Sequence, residues 1–201
     1  MNAETSQFAS RAGQKLQFAL TSFDVSPKNL VCADFGSSTG GFVDCLLQNG
    51  AAKIYSVDVS YGELAWKLRN DPRVVVMERT NALHVDLPPP SHEASEGHSE
   101  KVDLITIDVG WTKQRLILTN ALKNLKENGQ IITLIKLHYE ADKKYLRKGR
   151  LIDEKVDGVL ESVKKDIESL GITIKGIVES PIVGEKRKNR EFLALLSFVR
   201  K

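Results

Sequence analysis

The chain has 201 residues, and its 29 lysines and arginines exceed its 26 aspartates and glutamates by three, which gives a formal net charge of +3. A hydrophobic fraction of 41% and a charged fraction of 27% are those of an ordinary folded domain and exclude a disordered or fibrous chain. No apolar run approaches the roughly 20 residues that a membrane helix needs, and residues 1–5 lack the pattern of a secretion signal. Cys32 and Cys45 show no metal-ligand spacing, so we expect no metal site and a reducing, cytoplasmic location.

Apolar runs typical of strands alternate with helical patterns along most of the chain. We expect helices over residues 10–23, 42–47, 62–69, 113–125 and 153–170. We expect strands over residues 30–35, 53–59, 74–77, 102–109, 130–137, 172–178 and 192–199. This alternation predicts an α/β fold with a mostly parallel sheet and helices on both faces. Because only a basic loop separates the last two strands, we expect the final strand to be antiparallel.

The one break in this series follows Leu87, where three prolines precede a run of small polar residues. Proline interrupts helices and interior strands, so we expect a mobile surface loop at about residues 87–100, inserted within one domain. An amphipathic helix precedes the first predicted strand. We therefore divide the chain into an N-terminal helical extension, residues 1–25, and a single α/β domain, residues 26–201.

A glycine-rich turn follows the first predicted strand, and it reads DFGSSTGG over residues 34–41. Its glycines allow a tight turn and a close backbone approach, and the next helix presents free N–H groups there. In a doubly wound sheet, ligands bind beyond the carboxyl ends of the strands. Asp58 ends the next strand, where its carboxylate is placed to accept hydrogen bonds from ribose hydroxyls. These features favour a nucleoside cofactor, although a purely structural turn remains an alternative.

The details of this turn favour S-adenosylmethionine over other nucleotides. Neither the Gly-x-Gly-x-x-Gly pattern of dinucleotide sites nor the Gly-Lys-Ser/Thr of a phosphate-binding loop occurs here. Asp34 supplies an anion for the cofactor's ammonium group instead. The candidate cofactor residues are Asp34, Gly36, Ser37, Ser38, Thr39, Gly40, Gly41, Asp58, Val59, Asn81, Ala82 and Asp108.

Two further charged residues end apolar strands. Asp108 follows the strand at 102–109, and Lys136 follows the apolar run of the next one. A carboxylate in such a position is costly unless a partner stabilises it. Neighbouring parallel strands would set the two charges side by side at the cofactor edge of the sheet. A structural ion pair is the alternative reading, and Lys15 and Glu191 are candidates that do not stand out by pattern alone.

The sequence resembles the hemolysin A (TlyA) family of ribosomal RNA methyltransferases, relatives of the FtsJ 2′-O-methyltransferases. The matching stretches are residues 10–16 (SRAGQKL), 34–47 (DFGSSTGGFVDCLL), 61–69 (YGELAWKLR), 71–82 (DPRVVVMERTNA) and 189–193 (NREFL). The resemblance implies a Rossmann-like class I methyltransferase fold with a seven-stranded sheet. It also implies a catalytic tetrad, whose positions fall on Lys15, Asp108, Lys136 and Glu191.

This tetrad suits methyl transfer to a ribose 2′-hydroxyl, which is a poor nucleophile. Lys136 would stabilise the developing alkoxide as a cation or, if its pKa is lowered, act as a general base. Asp108 and Glu191 would orient the lysines, and Lys15 would complete the pocket. We therefore expect an S-adenosylmethionine-dependent RNA 2′-O-methyltransferase acting on ribosomal RNA or the ribosomal subunit, with no membrane partner.

The sequence also departs from the family pattern. Only nine residues precede Ser10, where family members usually carry a small RNA-binding domain. We therefore expect recognition by the catalytic domain itself or by a separate partner, or a different substrate. The acceptor-pocket neighbours also change, at Ala12-Gly13, Gly110-Trp111 and Leu137-His138-Tyr139. Basic clusters at residues 143–150 and 186–190, with Trp111 or His138 as stacking groups, suit RNA. A solvated loop surface is the alternative for the clusters, and core or rim packing is the alternative for Trp111.

Three other functions remain open at this point. The altered pocket neighbours are compatible with a catalytically degenerate cofactor- and RNA-binding protein. The hemolysin label implies a membrane-active protein, although the sequence carries no amphipathic membrane stretch. A methyltransferase acting on a small molecule is the third alternative. The oligomeric state and the target nucleotide do not follow from the sequence.

Overall fold

A computed structural model describes residues 7–88, 100–185 and 187–198. Its helices are α1 (Ala12–Ser22), α2 (Gly41–Gln48), α3 (Trp66–Arg69), α4 (Gln114–Asn124), α5 (Leu137–Glu140) and α6 (Val156–Glu168). Its strands are β1 (Val31–Phe35), β2 (Lys53–Val57), β3 (Val74–Met77), β4 (Val102–Ile107), β5 (Leu125–Ile135), β6 (Leu146–Arg147), β7 (Arg150–Leu151), β8 (Thr173–Glu179) and β9 (Phe192–Ser197). Within the described ranges, every helix is too short or too polar to span a lipid bilayer.

Seven of the strands form one sheet, in the order β3-β2-β1-β4-β5-β9-β8. The first five run parallel, and β9 is antiparallel to both β5 and β8. The predicted mostly parallel seven-stranded sheet with an antiparallel final strand is therefore confirmed. The strand order reverses between β1 and β4, and the carboxyl ends of these strands flank the crevice where such sheets bind ligands.

Two apolar clusters cover the two faces of the sheet. On one face, α4 and α6 pack against side chains such as Phe35 and Ile107. On the other face, α1 and α2 pack against side chains such as Cys32 and Leu104. Alternate residues of each strand contribute to opposite clusters, as the period of two in a strand requires. The prediction of helices on both faces is confirmed.

The strand ends differ from the predicted bounds in a way that matters for the site. The strand predicted over residues 102–109 ends at Ile107, and the one predicted over 130–137 begins at Leu125 and ends at Ile135. Asp108 and Lys136 therefore lie just past the sheet edge, and Lys136 caps the one-turn helix α5. The Asp108 amide still donates a hydrogen bond to the Phe35 carbonyl of β1 at 2.9 Å, whereas the chain turns into α5 directly after Lys136.

Three other elements depart from the predicted pattern. Only the last turn of the helix predicted over 62–69 forms, because Ala65 is extended with ψ of 136°. The helix predicted over 153–170 begins as a 3₁₀ turn, and its α-helical part is α6. The hairpin β6–β7 was not predicted, since each of its strands has only two residues.

Helix α1 sits directly on the N-terminus of α2, where two glycines face each other. A Cβ on Gly13 would lie 2.8 Å from the carbonyl oxygen of Gly41, and a Cβ on Gly41 would lie 2.9 Å from the amide nitrogen of Gly13. Both distances are shorter than a methyl group tolerates, so only glycine permits this approach. The contact brings Lys15 over the carboxyl edge of the sheet.

Two predictions, the mobile loop and the domain division, are not tested by the described residues. The loop predicted at about 87–100 lies mostly on residues 89–99, which are outside the described residues. The division of the chain at residue 25 stays a prediction, although the helix expected over 10–23 is found as α1.

Candidate active site

The alternation of side chains along the strands places several polar residues on one face of the sheet edge. In β4, Leu104 belongs to the α1–α2 face, so Thr106 and Asp108 have the same orientation. The same parity relates Lys136 to Leu134 in β5, and Glu191 to Leu193 in β9. Three strands thus deliver a charged or polar side chain beneath α1, which explains why residues far apart in sequence meet there.

Lys136 and Asp108 form an ion pair at the ends of β5 and β4. The Nζ–Oδ1 distance is 2.5 Å, and the two side chains are 18% and 17% exposed. Burial by itself would lower the pKa of Lys136, but the adjacent Asp108 carboxylate outweighs that effect, so the pKa is raised above its ordinary value. Lys136 is therefore a cation at neutral pH, and the general-base alternative lacks the lowered pKa that it requires.

Lys15 and Glu191 form a second ion pair, which ties helix α1 to the start of β9. The Nζ–Oε2 distance is 2.5 Å, and the side chains are 9% and 4% exposed. A buried charge is costly unless it is paired, so each residue requires the other. The pair joins positions 176 residues apart, which is why no local pattern revealed it.

Both ion pairs line a single cavity of about 740 Å³, a volume within the range of small-molecule sites. The glycine-rich turn after β1 forms another of its walls. The lining residues are Ser10, Arg11, Ala12, Lys15, Gly36, Ser37, Ser38, Thr39, Gly41, Phe42, Asp108, Trp111, Lys136, His138, Tyr139, Gly184, Glu185, Arg187, Asn189 and Glu191. The structure therefore brings together all four residues of the predicted tetrad; their catalytic role stays a prediction.

The glycine-rich turn has the backbone shape that glycine alone adopts without strain. Gly36 and Gly40 have φ of +91° and +93°. A Cβ on Gly36 would lie 2.7 Å from the carbonyl oxygen of Asp108, so a side chain there would collide with the residue that carries the ion pair. The turn and the Asp108 loop thus approach as closely as their backbones allow.

Asp34 lies beneath this turn and is fully buried. Its Oδ1 accepts a hydrogen bond from the Thr106 hydroxyl at 2.7 Å, and its Oδ2 has no hydrogen-bond partner among the described residues. Burial raises the pKa of Asp34 to about 7, with the Asp108 and Asp58 carboxylates adding to the shift against the hydrogen bonds that oppose it. It is not among the residues that line the cavity.

Asp58 stabilises the glycine-rich turn rather than standing free. Its Oδ2 accepts from the Ser38 amide at 2.7 Å, and its Oδ1 accepts from the amide and hydroxyl of Ser60 at 2.8 and 2.7 Å. A carboxylate has further lone-pair sites, so these contacts still leave acceptor capacity for a ribose. Asp58 does not line the cavity, and neither do the candidates Gly40, Val59, Asn81 and Ala82. Apart from Gly40, these residues follow β2 and β3 along the same sheet edge.

An aromatic cluster lies at the mouth of the cavity, and the sequence did not predict that its rings contact one another. Trp111 is 87% exposed with φ of +60°, and its ring centroid lies 5.1 Å from that of Tyr139. The ring centroid of His138 lies 4.1 Å from that of the same tyrosine. Burial, and then the charges of Lys136 and Arg187, lower the pKa of His138 to about 4. The signal that pointed here was the departure from the family pattern at positions 110–111 and 137–139.

Comparison with known proteins gives a consistent result. The model of the family described as FtsJ-like methyltransferase matches residues 8–198. A Bacillus subtilis (strain 168) protein named as an rRNA methyltransferase, YqxC, is 43% identical over 189 residues, which are 93% of this chain and 64% of that protein. The Mycobacterium tuberculosis (strain CDC 1551 / Oshkosh) protein named 16S/23S rRNA (cytidine-2′-O)-methyltransferase TlyA is 36% identical, over 94% of this chain and 68% of that one.

Solved structures agree. One named as a hemolysin from Streptococcus thermophilus superposes with a TM-score of 0.90 at 35% identity, covering all of this chain and 70% of that chain. Methyltransferase structures at 15% identity share the fold alone. The chain spans 64% of the length of the Bacillus relative. With its sheet, its glycine-rich turn and a family match over nearly its whole length, the chain belongs to the FtsJ-like methyltransferase family.

Proposed function

We propose that this protein transfers a methyl group from S-adenosylmethionine to a ribose 2′-hydroxyl of RNA, with ribosomal RNA as the substrate. One observation carries the proposal. Two close lysine–carboxylate pairs, Lys136–Asp108 and Lys15–Glu191, line the same cavity as the glycine-rich turn. That cavity therefore has a wall suited to a nucleoside cofactor and, beside it, cations suited to a developing alkoxide.

The residues present fit S-adenosylmethionine. The turn forms a wall of the cavity, and the positive φ of Gly36 and Gly40 gives it a shape that other residues adopt only with strain. The unpaired Oδ2 of Asp34 would accept a hydrogen bond from an ammonium group, whose positive charge would favour the ionised carboxylate. Asp58 retains acceptor capacity for ribose hydroxyls. When bound, S-adenosylmethionine supplies a methyl group activated by its sulfonium charge.

Lys136 acts on the nucleophile as a fixed cation. A ribose hydroxyl loses its proton only with difficulty, so the charge that develops on its oxygen must be stabilised as it forms. The raised pKa keeps Lys136 protonated, and three N–H donors let the ammonium bond both Asp108 and the ribose oxygen. We propose that Lys136 stabilises the developing charge electrostatically and that the hydroxyl proton passes to solvent water rather than to a neutral lysine.

The other three residues of the tetrad hold this arrangement. Asp108 positions the Lys136 ammonium through the 2.5 Å contact. Glu191 holds Lys15 at the same distance, and its charge also contributes to the raised pKa of Lys136. Lys15 thus closes the cavity from above, where its ammonium can orient the ribose or the adjoining phosphate.

The mouth of the cavity suits a nucleobase. Trp111 presents 87% of its surface to solvent and is backed by Tyr139. Exposed aromatic rings are the stacking surfaces that proteins offer to single-stranded or flipped-out bases. A nucleotide whose base stacks on Trp111 would have its ribose inside the cavity.

The same proposal extends to the domains of the chain, its RNA substrate and its location. Residues 26–201 would form the methyltransferase domain and residues 1–25 its helical extension. The mycobacterial relative is named for methylation of cytidines in 16S and 23S rRNA, and we extend the ribosomal substrate to this protein. We further propose that it works in the cytoplasm, where ribosomes are assembled, and that a separate RNA-binding partner contributes to recognition.

The test is methyl transfer from labelled S-adenosylmethionine to unmodified ribosomal RNA and ribosomal subunits, followed by mapping of 2′-O-methyl groups. The proposal predicts label in RNA at a ribose. Cofactor binding without transfer would instead indicate a degenerate binding protein. Label in an RNA-free extract would indicate a small-molecule substrate, and lysis of membranes without transfer would indicate the hemolytic alternative.

A further inference from the structure

Two basic segments lie beside the cavity and have no part in the chemistry above. Arg147 and Lys148 belong to the β6–β7 hairpin, and Arg187 and Lys188 lie in the loop between β8 and β9. We call these four exposed side chains the basic clamp. We propose that the basic clamp grips the phosphodiester backbone of RNA next to the nucleotide in the cavity. This inference rests on the proposed function and identifies the surface that holds its substrate.

The hairpin and the loop are fixed to each other as one unit. The buried Asn189 accepts a hydrogen bond from the Leu151 amide at 2.9 Å and donates one to the Gly149 carbonyl at 3.1 Å. The guanidinium of Arg187 lies against Gly149, so that a Cβ there would overlap it. A backbone hydrogen bond of 2.9 Å between Gly184 and Asn189 closes the loop. The clamp residues therefore lie on a preformed support.

This unit adjoins the cavity that holds the tetrad. Arg187 and Asn189 are both lining residues. Burial and the charge of Lys136 lower the pKa of His138 most, and the charge of Arg187 lowers it further. The positive charge of Arg187 therefore acts on a side chain inside the cavity. RNA whose nucleotide enters the cavity has to pass this rim.

The clamp cations have no ion-pair partner among the described residues. Three adjoining basic side chains do form such pairs, Lys144–Asp142, Arg150–Asp153 and Arg190–Glu179. A cation without an ion-pair partner can contact an RNA phosphate without first breaking a bond within the protein. Each such contact releases a counterion from the RNA and thereby favours binding.

Both lysines of the clamp have a left-handed backbone conformation that disfavours lysine. Lys148 and Lys188 have φ of +49° and +53°. In the two-residue turn of the hairpin, Lys148 and Gly149 both have positive φ, a geometry that prefers Asn-Gly. The side chains form no hydrogen bond within the described residues that would offset this strain. A strained residue with no structural partner indicates a functional use of its side chain.

The test exploits this strain, because function and stability should change in opposite directions. We expect the double variant Lys148→Asn/Lys188→Asn to melt at a higher temperature than the wild type. We expect it to bind 16S and 23S ribosomal RNA transcripts at least fivefold more weakly in filter assays. Between 50 and 200 mM KCl, the slope of log affinity against log salt should fall by about 1.4, which is roughly 0.7 for each lost phosphate contact on a single strand.

Two further variants sharpen the result. Reversing charge in Arg147→Glu/Lys148→Glu, on the hairpin and outside the cavity lining, should weaken transcript binding at least tenfold, while the affinity for S-adenosylmethionine, measured by calorimetry, stays within twofold. Lys165→Gln removes an exposed charge from α6, away from the clamp, and should change neither affinity.

Two outcomes overturn the inference, and they are distinguishable. If the wild type binds and methylates the transcripts and the clamp variants do so with equal affinity and slope, the clamp is wrong and the proposed function stands. If the wild type neither binds nor methylates RNA, both are wrong.

Discussion

The ammonium of Lys136 lies 2.5 Å from the carboxylate of Asp108, past the ends of β5 and β4. The same two strands carry a second ion pair at their opposite end, Lys126–Asp103, at 2.9 Å. The first pair is largely enclosed in the cavity, whereas the side chains of the second are 45% and 29% exposed. The two pairs share residue types and strands and differ in surroundings, so each is a control for the other.

Replacement of Lys136 should separate chemistry from cofactor binding. In Lys136→Ala we expect the rate of methyl transfer to RNA to fall at least 100-fold, the usual effect of removing one oxyanion-stabilising group. The affinity for S-adenosylmethionine should change by less than about threefold. The matched variant Lys126→Ala should keep the wild-type rate, because an exposed ion pair contributes little. Wild-type activity in Lys136→Ala would remove the mechanism.

The pair Lys15–Glu191 should show the signature of a buried ion pair. Lys15→Met alone should destabilise the protein by about 3–5 kcal/mol, because it leaves the Glu191 carboxylate buried without a partner. The double variant Lys15→Met/Glu191→Leu should recover most of that stability in urea unfolding. It should remain inactive, since the ammonium is missing from the cavity. Recovery of activity with stability would show that the pair serves only the fold.

Asp34 should make stability depend on pH. Its folded-state pKa of about 7 lies above the ordinary value of a free aspartate, so the folded state binds the proton more tightly than the unfolded state. Its favourable contribution is complete below about pH 4 and is lost as the pH rises toward 7, by at most about 1.4 kcal/mol per pH unit.

The variant Asp34→Asn tests this dependence. It keeps the shape of the side chain but does not titrate. Its melting temperature relative to the wild type should therefore rise steadily between pH 4 and 7 and level off above 7. A difference that is independent of pH would contradict the raised pKa.

Two glycine-to-alanine substitutions in helices should have opposite signs. Gly13→Ala places a methyl group 2.5 Å from the Phe8 side chain and 2.8 Å from the Gly41 carbonyl, so it should push α1 off α2 and lower both stability and activity. Gly158→Ala meets no atom within 4 Å in α6. It should stabilise the protein by about 0.5–1 kcal/mol, because alanine favours the helix. Thermal unfolding of both variants gives the comparison.

Much of this fold was predictable because each element carries its own pattern. The continuous apolar run of β4 indicates burial on both faces, and the helix stripe of α6 indicates a single covered face. The predictions failed where tertiary contacts set the bounds. The early end of β4 at Ile107 and the extended Ala65 before α3 depend on neighbours that a local pattern does not encode.

In the candidate site, too, some contacts were predictable from local patterns and others were not. Asp108 and Lys136 were predictable as neighbours, because parallel strands end at the same edge of a sheet. The pairing of Lys15 with Glu191 was not, since it requires the close contact of Gly13 with Gly41 to place α1 over the first residues of β9. The hairpin at residues 146–151 escaped prediction because its strands are too short to show a period.

Apolar periodicity and glycine positions are local properties, so they were enough to predict the α/β class, the order of most elements and the residue types available for chemistry. Three features required the folded chain: the charge of Lys136, the burial of Asp34 with one oxygen unpaired among the described residues, and the position of four basic side chains beside the cavity. Charge state depends on burial and on partners within a few ångströms, and folding brings those partners from distant parts of the chain.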